Sequence, residues 1–517
     1  MQVLPAIGRP ALREALLVAV ALVLLGELVY VPQVSDGGFY WDDWRNAAGA
    51  HFTQHPGLIG ALRDATQRPV WGYRPVLTVL LTLEYKALGL DKHLFLAMAV
   101  LFGASTAWAL YLVLRTLRVP PREALLPSAL VLIFPWADST RMWNTASFDT
   151  LAVTFYLLGL VLALRTLGAP PGRRRLLLDA GSAVLFLMAA WTYEATLPAI
   201  LASVAVYLLA APRRAALRRF AVDAGVVAVA LVVELTGTSR TPQSPGAQLH
   251  HAVTIAGQCF SLLTRALFPA ADLPGVVGAL LLAGIAGGAL ASRRRELRPW
   301  LVMAVLGVLG VVAGYLLFVP AESYYQPLAP GTVTRMNVMA TVGFAVLVYA
   351  LVRLLTALVA GRHAPVVAAL LLTAIAAGYL DRVFADEQKW HRSAQVQARV
   401  LAAIRATVPD PPPHGATIYT FGAPSAVARN VPAFSLAFDL RDAVRLQYRD
   451  PSLRAYPIRG FDVVRCEPGR LYPVGGTYGP LHGAQYGQAW FVSVPARHAF
   501  RVSSRAQCLE LSRRLGA

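Results

Sequence analysis

Charged residues are scarce in this chain. Asp, Glu, Lys and Arg make up 15% of the 517 residues, 56% are hydrophobic, and the mean hydropathy is +0.52. Soluble globular domains carry about 25% charged and about 45–50% apolar residues. The shortage of charge excludes an ordinary soluble protein and indicates that much of the chain is surrounded by membrane lipid.

Lysine is nearly absent. Lys86, Lys92 and Lys389 are the only lysines among the 47 basic residues, and the other basic residues are arginines. The net charge is +19. A basic chain can bind nucleic acid. Here, however, the arginines cluster in short loops between apolar runs, where membrane topology places them. We therefore predict no nucleic-acid partner.

Cysteine is also rare. Cys259 lies in an apolar run and is typical of a small core residue. Cys466 and Cys508 lie in the polar C-terminal region, where a disulfide can form if that region is in an oxidising compartment. The sequence leaves open whether they are bonded. No Cys/His spacing resembles a zinc site, and His250 and His251 lack convergent ligands. We assign no cofactor, and a divalent cation stays open as an alternative.

Long apolar runs dominate what is present. The first, about 12–32, has Arg9 and Arg13 at its N-terminal end and is typical of a signal anchor with its N-terminus inside. Ten more runs are predicted to span the membrane: 93–114, 124–137, 148–166, 176–193, 195–211, 219–237, 274–291, 299–319, 338–356 and 364–381. The predicted fold class is a polytopic α-helical membrane protein with about eleven spans, N-terminus inside and C-terminus outside.

The distribution of arginine supports this count. With eleven spans, every strongly basic short loop falls on the inner side, as the positive-inside rule requires. These loops contain Arg115, Arg118, Arg122, Arg173, Arg174, Arg175, Arg213, Arg214, Arg218, Arg219, Arg293, Arg294, Arg295, Arg353 and Arg362. A single missed span would scramble the pattern.

The predicted outer loops differ in composition, with acidic, histidine and aromatic residues and few arginines. They are 33–92, 137–147, 193–195, 237–273 and 320–337. Amphipathic stretches at 43–52, 57–66 and 253–269 are interpreted as helices on the membrane surface. The stretch 76–89 is too short to span and is interpreted as interfacial or re-entrant. Any chemistry is expected on this outer face.

Beyond about residue 382, prolines, charges and short alternating runs replace the apolar segments. The stretches 416–421, 461–464 and 489–494 are typical of strands. We predict a transmembrane domain over 1–385, which includes a catalytic outer loop at 33–92. Residues 386–517 are predicted to form a small α/β or β-rich extracytoplasmic domain.

Two adjacent carboxylates, Asp42 and Asp43, follow the first span and lie among aromatic residues. Neighbouring carboxylates near a medium of low dielectric raise each other's pKa, which suits a general base for a hydroxyl group. The alternative is a solvated turn whose aromatic residues anchor it at the membrane interface.

These residues also carry a resemblance. The order Tyr40-Trp41-Asp42-Asp43-Trp44, Tyr73-Arg74-Pro75-Val76-Leu77 and Tyr85-Lys86-Ala87-Leu88-Gly89-Leu90 resembles the start of the GT-C superfamily. It is most similar to the protein O-mannosyltransferases, the related bacterial polyprenyl-phosphate-sugar transferases and the transmembrane mannosyltransferases with tetratricopeptide repeats. Phe134-Pro135, Trp143-Asn144, Phe148-Asp149-Thr150-Leu151-Ala152 and Glu194 with Pro198 extend the resemblance over about 40–200. Tyr193 stands where that family has lysine, and the repeats are absent.

The resemblance implies an inverting glycosyltransferase with a polyprenyl-phosphate sugar as donor. The acceptor would be a glycan, lipid or protein hydroxyl on the outer face. Asp43 or Asp42 would deprotonate that hydroxyl, and cations would hold the leaving phosphate.

Several other outer-face residues are candidates for substrate binding. Arg335 and Arg74 both suit the binding of a phosphate. The alternative for Arg335 is an arginine that snorkels to the membrane interface, and the alternative for Arg74 is an anchor for the start of a helix. Further candidates with a plainer alternative are Arg45 (ion pairing with the acidic pair), Arg141 (a solvated surface), Asp149 (helix capping), Glu194 (interfacial exposure), and Trp143 and Tyr325, which could stack on sugar rings (interfacial anchoring). Tyr324 is one more candidate.

Three rival functions are alternatives to this interpretation. A lipid-linked sugar transporter or flippase needs ionisable residues inside the spans, where the sequence offers only Glu234. A non-catalytic scaffold with an outer binding domain leaves the clustering of outer-face charges unexplained. A glycan polymerase or ligase usually places its key arginines in a late outer loop. The predicted location is the bacterial inner membrane, with the active site facing the periplasm or cell exterior.

Overall fold

A computed structural model describes residues 11–237, 243–292, 294–458, 463–474 and 483–515. Arg9, Arg293 and residues 461–462 of a predicted strand lie outside the described residues. The helices are α1 (Leu12–Asp36), α2 (Asp42–His51), α3 (Gly57–Ala65), α4 (Pro75–Leu88), α5 (Lys92–Thr116), α6 (Pro121–Leu132), α7 (Ser139–Met142), α8 (Asn144–Leu167), α9 (Arg173–Thr192), α10 (Leu197–Ala210), α11 (Arg213–Gly237), α12 (Pro245–Leu267), α13 (Gly275–Ala291), α14 (Arg298–Leu316), α15 (Val338–Val359), α16 (Ala364–Thr407), α17 (Ala437–Tyr448) and α18 (Arg505–Leu515).

The strands all lie in the C-terminal region. They are β1 (Thr417–Phe421), β2 (Ala426–Ala428), β3 (Val431–Pro432), β4 (Arg454–Pro457), β5 (Val463–Glu467), β6 (Arg470–Val474), β7 (Ala484–Gln485), β8 (Ala489–Ser493) and β9 (His498–Val502). Short 3₁₀ helices include Pro135–Ala137, Glu194–Thr196 and Gly331–Asn337. The three predicted strand regions coincide with β1, β5 and β8.

Seven helices in the described part of the chain are long and apolar enough to cross a membrane. They are Leu12–Asp36, Lys92–Thr116, Asn144–Leu167, Arg173–Thr192, Arg295–Leu316, Gly331–Val359 and Gly361–Thr407. Glu194–Ala210 and Gly275–Ala291 are apolar but shorter. These helices support an integral membrane protein, while the count of eleven spans and the orientation stay predictions.

Every predicted span coincides with a helix, and several boundaries were wrong, two of them for a clear physical reason. The run 124–137 is broken, because α6 ends at Leu132 and a 3₁₀ helix begins at Pro135. Proline lacks an N–H group and disfavours the helical conformation of the residue before it. The run 364–381 continues as one helix of 44 residues to Thr407, since no glycine or proline interrupts it between Gly378 and Pro409.

The predicted surface stretches are also helical. The stretches 43–52 and 57–66 correspond to α2 and α3, 76–89 to α4, and 253–269 to the end of α12. None of these four helices is among the apolar helices that could cross a membrane. Their placement at the membrane surface stays a prediction.

Contacts divide the chain into two compact units. The first unit comprises Met1–Pro32, Thr66–Leu80 and Leu96–Glu387, and the second comprises Gln33–Ala65, Leu81–Phe95 and Gln388–Ala517.

In the first unit, α14 and α15 pack with their backbones in close approach. A Cβ atom added to Gly343 would lie 2.4 Å from the backbone nitrogen of Val311, and one added to Gly314 would lie 2.5 Å from that of Ala340. Small residues at such contacts let membrane helices pack tightly. Larger residues at Gly343 or Gly314 would force the two helices apart.

Several arginines of the predicted inner loops form ion pairs in the first unit. Arg115 Nε lies 2.6 Å from Glu14 Oε1, and Arg353 pairs with Glu123. Arg219 lies inside α11 rather than in a loop, is 3% exposed, and bonds both Asp179 and Asp223. Asp223, which the sequence did not single out, is fully buried in α11.

The second unit is built around a four-stranded sheet in the order β4-β1-β8-β9. β1 runs parallel to β4 and β8, and β9 is antiparallel to β8. Because side chains alternate along a strand, Ile418 packs on one face with the C-terminal half of α16 and with α17, and Tyr419 packs on the other. A disulfide joins Cys466 to Cys508, which resolves the alternative that the sequence left open.

Candidate functional site

The acidic pair begins α2 in the second unit. Asp43 is fully buried, and its Oδ2 accepts a hydrogen bond of 3.0 Å from the backbone N–H of Tyr40. The backbone N–H of Asp43 donates in return to the carbonyl of Tyr40, at 2.9 Å. Carboxylates in the first turn of a helix are stabilised by the helix dipole. The alternative of a solvated turn was therefore wrong for Asp43.

Asp42 differs from Asp43 in exposure. It is half-buried, whereas Asp43 has no exposed surface. A general base must come within hydrogen-bond reach of the proton that it removes. Asp42 is accordingly the better placed of the two to meet an acceptor, and Asp43 is placed to hold the turn.

The residue before Asp42 has a strained backbone. Trp41 has φ of 44° and ψ of −109°, a region that costs a non-glycine residue about 1–3 kcal/mol. Its indole N–H donates to Ser435 Oγ at 2.6 Å. Such strain persists only where surrounding contacts over-determine it, and it is concentrated at functional sites.

The aromatic residues around the pair are structural. Tyr40 is fully buried, its hydroxyl donates to the carbonyl of Trp390, and burial raises its pKa above the usual range. Phe39 packs edge-on against Trp44, with ring centroids 5.3 Å apart. The hydroxyl of Tyr85 donates to the carbonyl of Asp43 at 3.1 Å. These contacts fix the backbone that carries both carboxylates.

Arg45 is the exposed cation of this region. Its guanidinium lies 5.2 Å from the centroid of the Phe438 ring. It makes no ion pair within the described part of the chain, so the alternative that it pairs with Asp42 or Asp43 was wrong.

A second group of charged residues lies in the first unit. Arg74 binds Glu194 through two hydrogen bonds, from Nε to Oε2 and from a terminal nitrogen to Oε1, each of 2.7 Å. Burial by itself lowers the pKa of Arg74, but the charge of Glu194 outweighs it and holds that pKa well above the usual range. Glu194 is 6% exposed, so interfacial exposure was wrong for it.

Arg335 belongs to the same group and is half-buried. Its guanidinium lies 5.2 Å from the ring centroid of Trp143, which is fully buried. It makes no side-chain hydrogen bond or ion pair with any residue that the structure describes. Five N–H donors on a guanidinium are thus left for a ligand or solvent.

Asp149 lies within electrostatic range of both arginines. It is 2% exposed, and its Oδ2 has no hydrogen-bond donor among the described residues. Asp149 lies inside α8, which begins at Asn144, so capping was wrong as its plainer alternative. We call Arg74, Trp143, Asp149, Glu194 and Arg335 the arginine cluster.

The loop that carries Arg335 is held by side chains that the sequence did not single out. Asn337 donates to the carbonyls of Trp136, at 2.6 Å, and Pro327, at 2.9 Å, and accepts from the Tyr315 hydroxyl at 2.6 Å. Asn337 lies at the outer end of a predicted span, and this position is the feature of the sequence that could have identified it. A buried asparagine with three partners there fixes the segment that positions Arg335.

Tyr324 and Tyr325 lie earlier in this loop, with ring centroids 5.2 Å apart. Tyr324 is 42% exposed. The ring nitrogens of His251 face the carbonyls of Tyr325, at 2.8 Å, and Val319, at 3.3 Å. His251 therefore contacts the loop at two backbone carbonyls, and whichever ring nitrogen carries the proton donates to one of them.

Arg141 is not at a surface, and that alternative was wrong. It is 1% exposed and donates to the carbonyls of Val131 and Ala137, both at 2.8 Å. These bonds satisfy backbone groups where α6 ends. Nearby Asp138 is 2% exposed, and burial followed by the charge of Asp386 raises its pKa well above the usual range. Asp138 was not a candidate from the sequence.

Among the described residues, no group of three or more His, Cys, Asp or Glu side chains could hold a metal ion. The divalent cation left open by the sequence therefore gains no site in this part of the chain.

The chain matches no protein-family model, and no curated protein matches it. The function must therefore be argued from the residues themselves.

Proposed function

We propose that this protein is an inverting glycosyltransferase that moves a sugar from a polyprenyl-phosphate donor to an acceptor hydroxyl. The observation that carries the proposal is the half-buried guanidinium of Arg335, which has no hydrogen-bond acceptor among the described residues and lies near the buried, unsatisfied carboxylate oxygen of Asp149. A sugar phosphate supplies both missing partners. Its phosphate accepts hydrogen bonds from Arg335, and a sugar hydroxyl donates one to Asp149.

Arg335 is better suited to the phosphate than Arg74. Charge-assisted bonds from a guanidinium to a phosphate are short, strong and often bidentate. Glu194 already occupies two donors of Arg74 and neutralises its charge. Trp143 holds Arg335 by a cation–π contact, which leaves the edge of its guanidinium to bind an anion. Arg74 contributes mainly by keeping Glu194 in place within the arginine cluster.

Asp42 acts as the base in this proposal. The acceptor hydroxyl gives its proton to the Asp42 carboxylate as its oxygen attacks the anomeric carbon from the face opposite the phosphate. The bond from that carbon to the phosphate oxygen breaks, and its electron pair leaves with the lipid phosphate. In the first unit, Arg335 binds the phosphate group of the donor. Asp43 keeps Asp42 in place through its bond to Tyr40.

The chemistry is proposed to take place on the outer face of a bacterial inner membrane. Two observations support this side. The Cys466–Cys508 disulfide belongs to the second unit, which also contains Asp42, and disulfides persist in oxidising compartments. The arginine-rich short loops fall on the other side when eleven spans are counted.

The test is transfer of radiolabelled sugar from a panel of polyprenyl-phosphate sugars in membranes that contain the intact protein, Asp42→Asn or Arg335→Ala. Arg362→Ala, which changes an exposed arginine just before α16, serves as the control. Product from the intact protein and the control, lost in both site variants at equal expression, supports the proposal. Undiminished product in both site variants would refute these roles.

One observation favours a second candidate, a transporter or flippase for a lipid-linked sugar. Asp223 and Arg219 are buried inside α11 and paired, and ionisable residues within spans often mark a transport path. Vesicles loaded with a fluorescent lipid-linked sugar distinguish the two functions. A transporter moves the label across the membrane without transferring it, and Asp223→Asn stops this movement.

A further inference from the structure

The second unit carries an aromatic and cationic surface next to Asp42. It consists of Arg45 in α2, Phe438 at the start of α17, and Trp41, which precedes α2 and bonds Ser435 just before α17. The guanidinium of Arg45 lies 5.2 Å from the Phe438 ring centroid. Arg45 is exposed, and Trp41 and Phe438 are each half-buried. We call these three residues the platform.

The platform is held rigidly from the α17 side. The indole N–H of Trp41 donates to Ser435 Oγ at 2.6 Å. Asp439 is fully buried and accepts bonds from the backbone N–H groups of Ser435 at 2.9 Å, Leu436 at 3.1 Å and Leu440 at 2.7 Å. A carboxylate that reaches back to N–H groups at the start of a helix fixes the entry of the chain. The Trp41 ring therefore has one orientation before any ligand arrives.

The chemistry of the platform suits a charged sugar. Flat, half-exposed aromatic rings pack against the apolar faces of sugar rings, and fixed rings lose little entropy on binding. The N–H donors of Arg45 make no hydrogen bond to a described residue. A planar guanidinium matches the two oxygens of a carboxylate or phosphate group. The platform thus offers a stacking surface and an anion contact within one helical turn of Asp42.

We propose that the platform binds the acceptor and that the acceptor is a glycan bearing a carboxylate or phosphate group close to the hydroxyl that Asp42 deprotonates. This inference rests on the proposed function, since it takes Asp42 as the base. It narrows the acceptor from any hydroxyl compound to an acidic glycan. Trp41 and Phe438 contact the sugar ring, and Arg45 contacts the acidic group.

The experiment measures binding to the full-length protein in lipid nanodiscs, without any donor. The probes are a galacturonic acid tetramer, a phosphorylated mannose tetramer, the matching neutral tetramers, inorganic phosphate and an acidic tetrapeptide. The variants are Arg45→Ala and Phe438→Leu. Arg429→Ala, another exposed arginine of the second unit, is the control, and thermal unfolding checks that each variant is folded.

The acidic tetramers are expected to bind, and the one that binds tighter identifies the acidic group. Arg45→Ala should weaken this binding by about tenfold or more, as expected for the loss of a charge-assisted bond. Arg429→Ala should leave it unchanged. Phe438→Leu should weaken acidic and neutral tetramers alike. Equal effects of Arg45→Ala and Arg429→Ala would overturn the proposal, and so would binding of phosphate or the peptide as tightly as the acidic tetramers.

A transfer assay separates this inference from the proposed function. Arg45-dependent binding with no transfer from any donor would leave a glycan-binding platform and refute the transferase. Transfer to a neutral glycan that is insensitive to Arg45→Ala would keep the transferase and refute the acidic acceptor.

Discussion

Arg74 and Glu194 are joined by two hydrogen bonds of 2.7 Å, although 120 residues separate them in the chain. Arg74 precedes Pro75 at the start of α4, and Glu194 begins the 3₁₀ helix before α10. Side-chain exposure is 17% for Arg74 and 8% for Glu194. Removing one member of so buried a pair leaves an uncompensated charge, which costs more than the pair contributes.

Glu194→Gln is therefore expected to lower the free energy of unfolding by about 3 kcal/mol. Thermal unfolding of the purified protein measures the loss. Glu296→Gln, at an exposed position of the same unit, should change the unfolding temperature little. Equal unfolding temperatures for the two variants would show that the pair is not formed in solution.

Substitutions of the two carboxylates of the acidic pair should differ in their effects on stability and on transfer. Asp43→Asn weakens the bond that Asp43 Oδ2 accepts from Tyr40 and removes a charge at a helix start, so it should cost about 1–2 kcal/mol of stability. Asp42→Asn should cost less stability, because Asp42 is half-buried, yet abolish transfer. Unfolding temperature and transfer rate are measured on both variants. Loss of transfer in Asp43→Asn alone, with its stability unchanged, would reverse the proposed roles.

Much of the architecture was predictable, because it is determined by the lengths of the apolar runs and by the helix-breaking residues that end them. Apolar runs placed all eleven predicted spans on helices, and Pro409 marks the end of α16. The apolar run showed where α16 ceases to be apolar. It could not show that the chain stays helical beyond that point. Helix continuation requires only the absence of breakers, so the polar half beyond residue 381 was missed.

The candidate site was only partly predictable. The residue types of Arg335 and Asp42 indicated chemistry, but Trp143, which contacts Arg335, lies far from it along the chain. Neither the pairing of Arg74 with Glu194 nor the burial of Arg141 follows from local sequence, because both depend on tertiary packing. Asp223 was missed because Arg219 follows the arginines of a predicted basic loop, so the sequence around the two residues resembles the end of that loop. Their buried ion pair depends on tertiary packing.

The Cys466–Cys508 bond should contribute strongly to the stability of the second unit. It spans 42 residues, and closing a loop of that length constrains the unfolded chain by about 4 kcal/mol. A reducing agent should therefore lower the temperature at which the second unit unfolds, and Cys508→Ala should do the same without reductant. Cys259→Ala, which removes the unpaired cysteine, should keep the full sensitivity to reductant. An intact protein insensitive to a reductant shown to break the bond would contradict this prediction.

Asp439 should make the stability of the second unit depend on pH. Burial raises its pKa to about 7, against the opposing effect of three backbone N–H bonds, whereas an unfolded Asp has a pKa near 3.9. The folded state thus holds a proton that the unfolded state has lost, so the contribution of Asp439 is full below about pH 4 and is lost as the pH rises towards 7.

The unfolding temperature of the intact protein should accordingly fall, relative to Asp439→Asn, as the pH is raised from 5 to 8. Asp450→Asn is the matched control, because the pKa of Asp450 is shifted in the opposite direction to that of Asp439. Burial raises the pKa of Asp450, but hydrogen bonds from Ser452 outweigh this and lower it overall. The contribution of Asp450 is therefore lost only in acid, and its difference from the intact protein should stay flat over the same range. A difference for Asp439→Asn that is also flat would mean that the Asp439 carboxyl is ionised throughout, held by its three N–H bonds.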